Sequence, residues 1–337
     1  MRVARLALLA PLALRASTAA LCDDSAEVLD APACPEPPTA DDVVRVAVCF
    51  DRRMVFEFEG APFATFARAL GASNRGAPMV VHALNAGLSA AQRCLVRAAL
   101  LAQLAPRSRA HTVSVDHILA DAGITTPQAH VTPVAMSRLF LPSLRPCVAK
   151  VIWFDLDLLV LRPLAPLWRV APSAPCGIAA RPSINAGGAS YVAHAVKGPA
   201  EYVKRTRKRY ERTPGFNDGV MVVDLDAVRA HPTFERTVRE SALEFGNNDQ
   251  TVLNIFCDGA FSSLDPNWNV LYSSPWAALN VNQSDWRILH FVGSAKPWLP
   301  GMKWPIKQAR VLWDQYRLTL EGALAAFERG AVRDSVT

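Results

Sequence analysis

The stretch KVIWFDLDLLVLRPLAPLW, Lys150 to Trp168, reads at its centre as a buried β-strand. Val151, Ile152, Trp153, Phe154, Leu156, Leu158, Leu159 and Val160 are interrupted only by Asp155 and Asp157. Side chains two apart on a strand point the same way, so the two carboxylates are expected side by side. Two ionised carboxylates so placed repel, and burying either alone is costly. No Lys or Arg lies within the apolar run. Two accounts stand open. A divalent cation between them resolves the repulsion, and oxygen ligands suit Mg2+ or Mn2+. Alternatively, the strand ends early and each Asp caps a local turn.

Around this stretch, strands and helices alternate. VVRVAVCF (43–50) reads as a strand ending at Asp51, APFATFARALGAS as a helix, PMVVHAL as a strand and SAAQRCLVRAALLAQL as a helix. HTVSV is a short strand, and TPVAMSRLFLPSL a helix with Thr132 as cap and Pro133 at its first position. The alternation predicts an α/β fold with a mostly parallel central sheet flanked by helices. Ligands in such sheets gather beyond the carboxyl ends of the strands, where Asp51, Asp155 and Asp157 lie. Further on, GVMVVDL and RILHFVG (287–293) read as strands. NDQTVLNIFCDG starts a helix near Asn248 or Asp249, and IKQARVLWDQYRLTLEGALAAFERG reads as one amphipathic helix packed on the body.

The chain has 337 residues, 51% hydrophobic and 20% charged, which suits a single large-cored domain with or without an extension. Net charge is +6, much of it in VKRTRKRYER, Val203 to Arg212. That run reads as a solvated helix face, ahead of a site for an anionic acceptor or membrane surface. Nothing resembles a nucleic-acid reader. Residues 1–22 have the pattern of a secretory signal peptide, with Arg2 and Arg5 before a short apolar core, Leu6 to Leu14. The rival is an organelle transit peptide. The apolar core is too short for a membrane span, which takes about 20 residues, and no later segment looks transmembrane. Residues 23–41 read as an acidic, Pro-rich linker, 42–305 as the main folded domain and 306–337 as the C-terminal helix and tail. The seven cysteines are scattered without a Cys-x-x-Cys pair, which disfavours zinc and leaves disulfide connectivity open. Asn282-Gln283-Ser284 is a glycosylation sequon.

Five segments share one family resemblance. VTPVAMSRLFLP, VIWFDLDLLVLRPLAPLW, GFNDGVMVVDL, NNDQTVLN and ILHFVGSAKPW occur in the order and rough spacing of glycosyltransferase family 8. That group holds glycogenin-like and lipopolysaccharide galactosyltransferase-like enzymes, and the resemblance spans about residues 43 to 305. It implies a single GT-A domain. It also implies a retaining hexosyltransferase that moves glucose or galactose from a UDP-sugar, with Mn2+ (or Mg2+) gripping the diphosphate. By this match Asp155, Asp157 and His290 hold the metal. Lys296, in Lys296-Pro297-Trp298, meets the diphosphate, and Gly293 admits backbone close to it. Asp51 meets the nucleoside, although Arg52-Arg53-Met54 departs from the family's usual continuation. Arg138 contacts the donor. Asn217 lies beside the donor sugar, in a segment where Asp218 replaces the family's usual small residue, and Asp249 and Gln250 face its reacting side.

Taken singly these residues have plainer roles. A strand histidine suits a core, Lys296 a loop, Arg138 a helix surface, and Asn217, Asp249 and Gln250 caps and turns. Gln250 is an amide and no strong nucleophile, so same-face attack by the acceptor hydroxyl is expected, with a covalent route through Asp249 as the rival. The rival functions are an inactive nucleotide- or glycan-binding member and a metal-dependent phosphohydrolase. The acceptor, whether glycan, protein or small molecule, is not marked. Tyr191, Tyr202 and Tyr210 carry no self-glycosylation motif, and a homodimer stays open. The implied location is the secretory pathway, in the ER or Golgi lumen or outside the cell.

Overall fold

The computed structural model describes residues 43–123, 133–173, 175–183, 213–244, 249–272, 281–302 and 306–334, with residues 204, 208, 210 and 304 besides. The readings of 1–42 as signal and linker, and those on Thr132, Tyr191, Tyr202, Asn248 and most of 203–212, lie outside the described residues. Tyr210 is buried.

The elements run β1 (Val44–Asp51), α1 (Arg52–Phe56), α2 (Ala61–Ser73), β2 (Met79–Ala86), α3 (Ala90–Leu101), β3 (Arg109–Ser114) and α4 (Asp116–Asp121). Pro133–Phe140 follows, then α5 (Leu141–Leu144), β4 (Lys150–Phe154), β5 (Leu158–Val160), α6 (Ala165–Trp168) and β6 (Ile178–Pro182). The second half holds β7 (Phe216–Asp224), α7 (Leu225–Ala230), α8 (Phe234–Glu244), α9 (Asp249–Cys257), β8 (Ser262–Ser263), β9 (Val270–Leu271), β10 (Ile288–His290), α10 (Lys307–Tyr316) and α11 (Leu320–Asp334).

A seven-stranded sheet runs in the order β3-β2-β1-β4-β7-β6-β8. The first four strands are parallel, β7 is antiparallel to both its neighbours, and β8 is parallel to β6. This is the expected mostly parallel α/β sheet. Its central strands are apolar along their length because both faces are covered. Val46, Val48, Phe50, Ile152 and Phe154 enter one core, with α2 and α3. Ala47, Cys49, Val151 and Trp153 enter the other, with α8 and α9. Full burial of a side chain such as Phe154 contributes about 1.5–3 kcal/mol. Local signals start the helices. Ser89 and Gln92 form a capping box on α3, and Asp224 accepts from Ala227 N at the start of α7.

Three readings are corrected. First, 151–160 is not one strand: β4 stops at Phe154, and β5 belongs to a separate three-stranded sheet, β5-β10-β9. Second, Pro133–Phe140 winds as 3-10 turns, with α-helix only at Leu141–Leu144; Pro142, which offers no N–H to the preceding turn, sits at the start of that helix. Third, the C-terminal segment is two helices, broken where Arg317 takes extended dihedrals. Thr65 Oγ1 accepts from Leu318 N there at 3.1 Å, so a contact with α2 replaces helical continuation. As expected, both helices pack on the body: Trp313 and Leu320 are buried.

Candidate active site

The site forms where the two sheets meet. Asp155 N–H donates to Gly219 O at 2.9 Å, extending the large sheet by one step. Phe291 N–H donates to Asp157 O at 2.8 Å, beginning the small sheet. Between them Leu156 is buried and acts as the pivot. The two aspartates therefore sit on the turn from one sheet to the other, and they still converge. Asp155, Asp157 and His290 each offer a ligand atom, and these atoms all lie within 4.8 Å of one another. His290 Nε2 is 3.2 Å from Asp157 Oδ1 and 3.7 Å from Asp155 Oδ2.

This set fits a divalent cation: the two carboxylates suit hard ions such as Mg2+ or Mn2+, and the imidazole suits a transition ion better than Mg2+. Gly219 supports the fit. A Cβ there would lie 2.1 Å from His290 Cε1 and 2.9 Å from Asp155 Oδ2, so only glycine lets the imidazole approach the carboxylate. Lys296 Nζ pairs with Asp157 Oδ2 and donates to Phe291 O at 2.9 Å. Burial works to raise the Asp157 carboxyl, but Lys296 and then His290 outweigh it and hold the group well below the usual carboxylate range. Gly293, at φ 86°, lies in the exposed loop between His290 and Lys296.

Arg138 lies behind Asp155, with its side chain only 4% exposed. Its Nη2 meets Asp155 Oδ1 at 2.6 Å, Nη1 meets Asp218 Oδ2 at 2.7 Å, and Nε meets Asp249 Oδ2 at 2.9 Å. Its guanidinium carbon also sits 4.8 Å from the Trp153 ring centroid. Burial works against its charge, but the three carboxylates hold it charged well above its usual range. One cation against three acids leaves an excess. Burial, only partly offset by Arg138, pushes Asp218 well above and Asp249 above the usual carboxylate range. Arg138 thus organises the site's acids, at the place where the resemblance implies a contact with the donor.

A chain of amides joins the metal-binding end to Gln250. Asn217 Nδ2 donates to Gln250 Oε1 at 3.0 Å, Asn269 Nδ2 donates to Asn217 Oδ1 at 2.7 Å, and Asn269 Oδ1 lies 2.9 Å from His290 Nδ1. Gln250 and Asp249 open α9, whose Asn254 clasps Phe216 N and O on β7. The structure therefore gathers Asp155, Asp157, His290, Lys296, Arg138, Asn217, Asp249 and Gln250. Asp51 is engaged differently: its Oδ1 caps α1, accepting from Arg53 N at 2.9 Å and Met54 N at 3.1 Å.

Sequence reasoning missed Asn269 and Gly219 as site residues, and noticed Asp218 only as a departure. The signal for Asn269 is a lone amide between Trp268 and Val270, both buried.

A family model described as glycosyl transferase family 8 matches residues 107–300. The chain belongs to glycosyltransferase family 8. The matched part of this family 8 chain contains every gathered residue named above. The chain is 24% identical over 205 residues to general stress protein A of Bacillus subtilis (strain 168), covering 53% of this chain and 64% of that protein. It therefore spans somewhat under two thirds of that relative's length. Among solved structures it is similar to galactosyltransferase LgtC in complex with donor and acceptor sugar analogues. That likeness has a TM-score of 0.63 at 19% identity, over 82% of this chain and 97% of LgtC. It is also similar to the glycosyltransferase GlyE of Streptococcus pneumoniae TIGR4, with TM-score 0.57 at 17% identity, over 86% of this chain and 64% of GlyE. At such identities the likeness speaks to the fold, which is the GT-A glycosyltransferase fold.

Proposed function

We propose that this family 8 glycosyltransferase is a cation-dependent, retaining hexosyltransferase that takes glucose or galactose from a UDP-sugar. The observation that carries the reading is the convergence of Asp155, Asp157 and His290 beside Lys296, with Asn217 and Gln250 linked to the same centre. Asp155, Asp157 and His290 would hold Mn2+, or Mg2+. When bound, the cation supplies Lewis-acid stabilisation of charge developing on a diphosphate leaving group. Lys296 adds a compact positive charge next to it, on the loop that Gly293 opens. Asn217 and Gln250 orient the hexose, and Asp51, at the end of β1, is assigned to the nucleoside.

Same-face attack by the acceptor hydroxyl, its proton passing to the departing phosphate, is favoured over a covalent route. Asp249, the candidate nucleophile of that route, is tied to Arg138, and burial raises its affinity for a proton. Both effects weaken it as a nucleophile.

We place the protein in an oxidising lumen of the secretory pathway, with 1–22 as signal peptide and 23–41 as linker. Cys176 pairs with Cys257, and Cys94 and Cys147 are also disulfide-bonded, chemistry that belongs to such compartments. Among the described residues no helix is long and apolar enough to cross a membrane.

The test is UDP release from a panel of UDP-sugars with and without Mn2+, followed by an acceptor screen. The expected result is cation-dependent turnover of a UDP-hexose. Binding of UDP without turnover would make the chain an inactive member, and phosphate release from simple esters would make it a phosphohydrolase.

A further inference from the structure

We propose that Asn269 is a positioning residue that sets the tautomer of His290 and ties the metal-binding end of the site to its sugar-facing end. The inference rests on the cation-dependent reading above. Two backbone donors fix the direction of the whole amide chain. Asp218 N–H donates to Gln250 Oε1 at 3.2 Å, so Gln250 presents its oxygen, and Asn217 meets that oxygen with Nδ2. Gly219 N–H donates to Asn217 Oδ1 at 3.1 Å, so that oxygen also points one way, and Asn269 meets it with Nδ2. Only the oxygen of Asn269 is then left for His290, and an oxygen there requires a proton on Nδ1. With Nδ1 as the donor, Nε2 is the nitrogen whose lone pair serves a cation, and Nε2 is the one facing Asp155 and Asp157. Metal-binding histidines owe their orientation and basicity to such a hydrogen bond on the far nitrogen.

Asn269 is itself held without slack. It is fully buried, its N–H donates to Pro266 O at 3.1 Å, its C=O accepts from Arg181, and Val270 after it pairs with Leu289 in the small sheet. A buried amide is costly unless its polar atoms are matched, and here each one is. The ring of His290 and the side chain of Gln250 therefore move as one unit. A cation that settles His290 also settles the amides that face the sugar.

The experiment uses the full chain, with direct Mn2+ titration by electron paramagnetic resonance and with UDP and UDP-hexose binding at saturating Mn2+. The variants are Asn269→Ala and Asn269→Asp. Wild type is expected to bind Mn2+, and Asn269→Ala to bind it about 10–100-fold more weakly, the usual loss when such a partner is removed. Asn269→Asp keeps an acceptor for Nδ1–H but sets an oxygen against Asn217 Oδ1. It should hold Mn2+ within about threefold of wild type, a change too small for loss of that partner. It should nevertheless lose most of the preference for UDP-hexose over UDP.

That split is one a mere packing residue would not produce. Unchanged Mn2+ binding in Asn269→Ala overturns the proposal, as does an Asn269→Asp variant that loses Mn2+ as fully as Asn269→Ala. Should Asn269→Ala fail to fold by circular dichroism, Asn269→Asp decides alone. The split supports the proposal, and both affinities kept or both lost overturns it. Wild type that binds neither Mn2+ nor Mg2+ overturns the cation-dependent reading itself, before any variant is considered.

Discussion

At the scale of single residues, Arg138 and Gly219 do most to hold the site in shape. Arg138 carries three carboxylates on three different nitrogens. A lysine has one nitrogen and no fork, so Arg138→Lys is not conservative here. Removing the charge altogether, as in Arg138→Met, leaves the buried Asp218 and Asp249 and the half-buried Asp155 without that partner. The expected cost is about 3–5 kcal/mol, the range for breaking a buried ion pair. Urea unfolding measures it, and a loss below 1 kcal/mol, roughly that of an exposed pair, would show that the acids are satisfied elsewhere. Gly219 acts by absence. In Gly219→Ala the new Cβ needs the space now held by His290 Cε1, 2.1 Å away. The ring must retreat from Asp155, so Mn2+ affinity should drop by about 10-fold or more, in line with other losses of ligand support. The melting temperature should fall less than in Arg138→Met. Calorimetric titration of Mn2+ into Gly219→Ala checks this, and wild-type affinity would mean the ring is not held where the site requires it.

At the scale of elements, the disulfide Cys176–Cys257 joins the segment before β6 to the last residue of α9, whose first turn carries Asp249 and Gln250. The bridge closes a loop across a sequence separation of 81 residues. Loss of a native disulfide of this kind costs about 2–5 kcal/mol. Cys176→Ser with Cys257→Ser should therefore lower the unfolding midpoint by a corresponding amount. It should also raise KM for the donor more than it lowers kcat, because α9 would still form yet seat Gln250 less firmly. Steady-state kinetics and denaturation of the double variant decide it, and unchanged KM would confine the bridge to a stability role.

The elements also show what the sequence could and could not reveal. The strands β1, β2, β4 and β7 were legible because apolar runs bounded by polar residues have few other readings. The convergence of Asp155 and Asp157 was legible too, although the reason given was wrong. They meet because the chain passes from one sheet to another at Leu156, not because one strand continues through both. The switch has no local signature, since 151–154 and 158–160 are equally apolar and only pairing with β7 or β10 separates them. The break at Arg317 depends likewise on Thr65, far away in sequence. Asn269 left only a faint mark, an amide between Trp268 and Val270, because its partners, His290 and Asn217, come from distant segments.

At the scale of the whole molecule, the central sheet also buries a titratable pair on β2 and β3, strands that carry none of the gathered site residues. His82, midway along β2, stacks on His111 of β3 with ring centroids 5.5 Å apart. His82 is fully buried, and neither ring nitrogen has a hydrogen-bond partner among the described residues. Burial first, then Arg145, His111 and Arg45, hold its pKa well below the ordinary histidine range. The folded ring is therefore neutral at neutral pH. In the unfolded chain it takes a proton near its ordinary pKa of about 6.5. Below that pH the unfolded state binds a proton the folded state refuses. Stability must then fall as pH falls, with a limiting slope of about 1.4 kcal/mol per pH unit from this group. The loss begins near the ordinary histidine value and continues down to the depressed folded one. His82→Leu keeps the apolar packing and removes the proton, so the variant should lose that slope between pH 7 and 5. Urea unfolding of both proteins at pH 7, 6 and 5 makes the comparison. Parallel curves would mean that His82 is protonated, or paired, inside the fold, and that the acid sensitivity of this protein originates in another group.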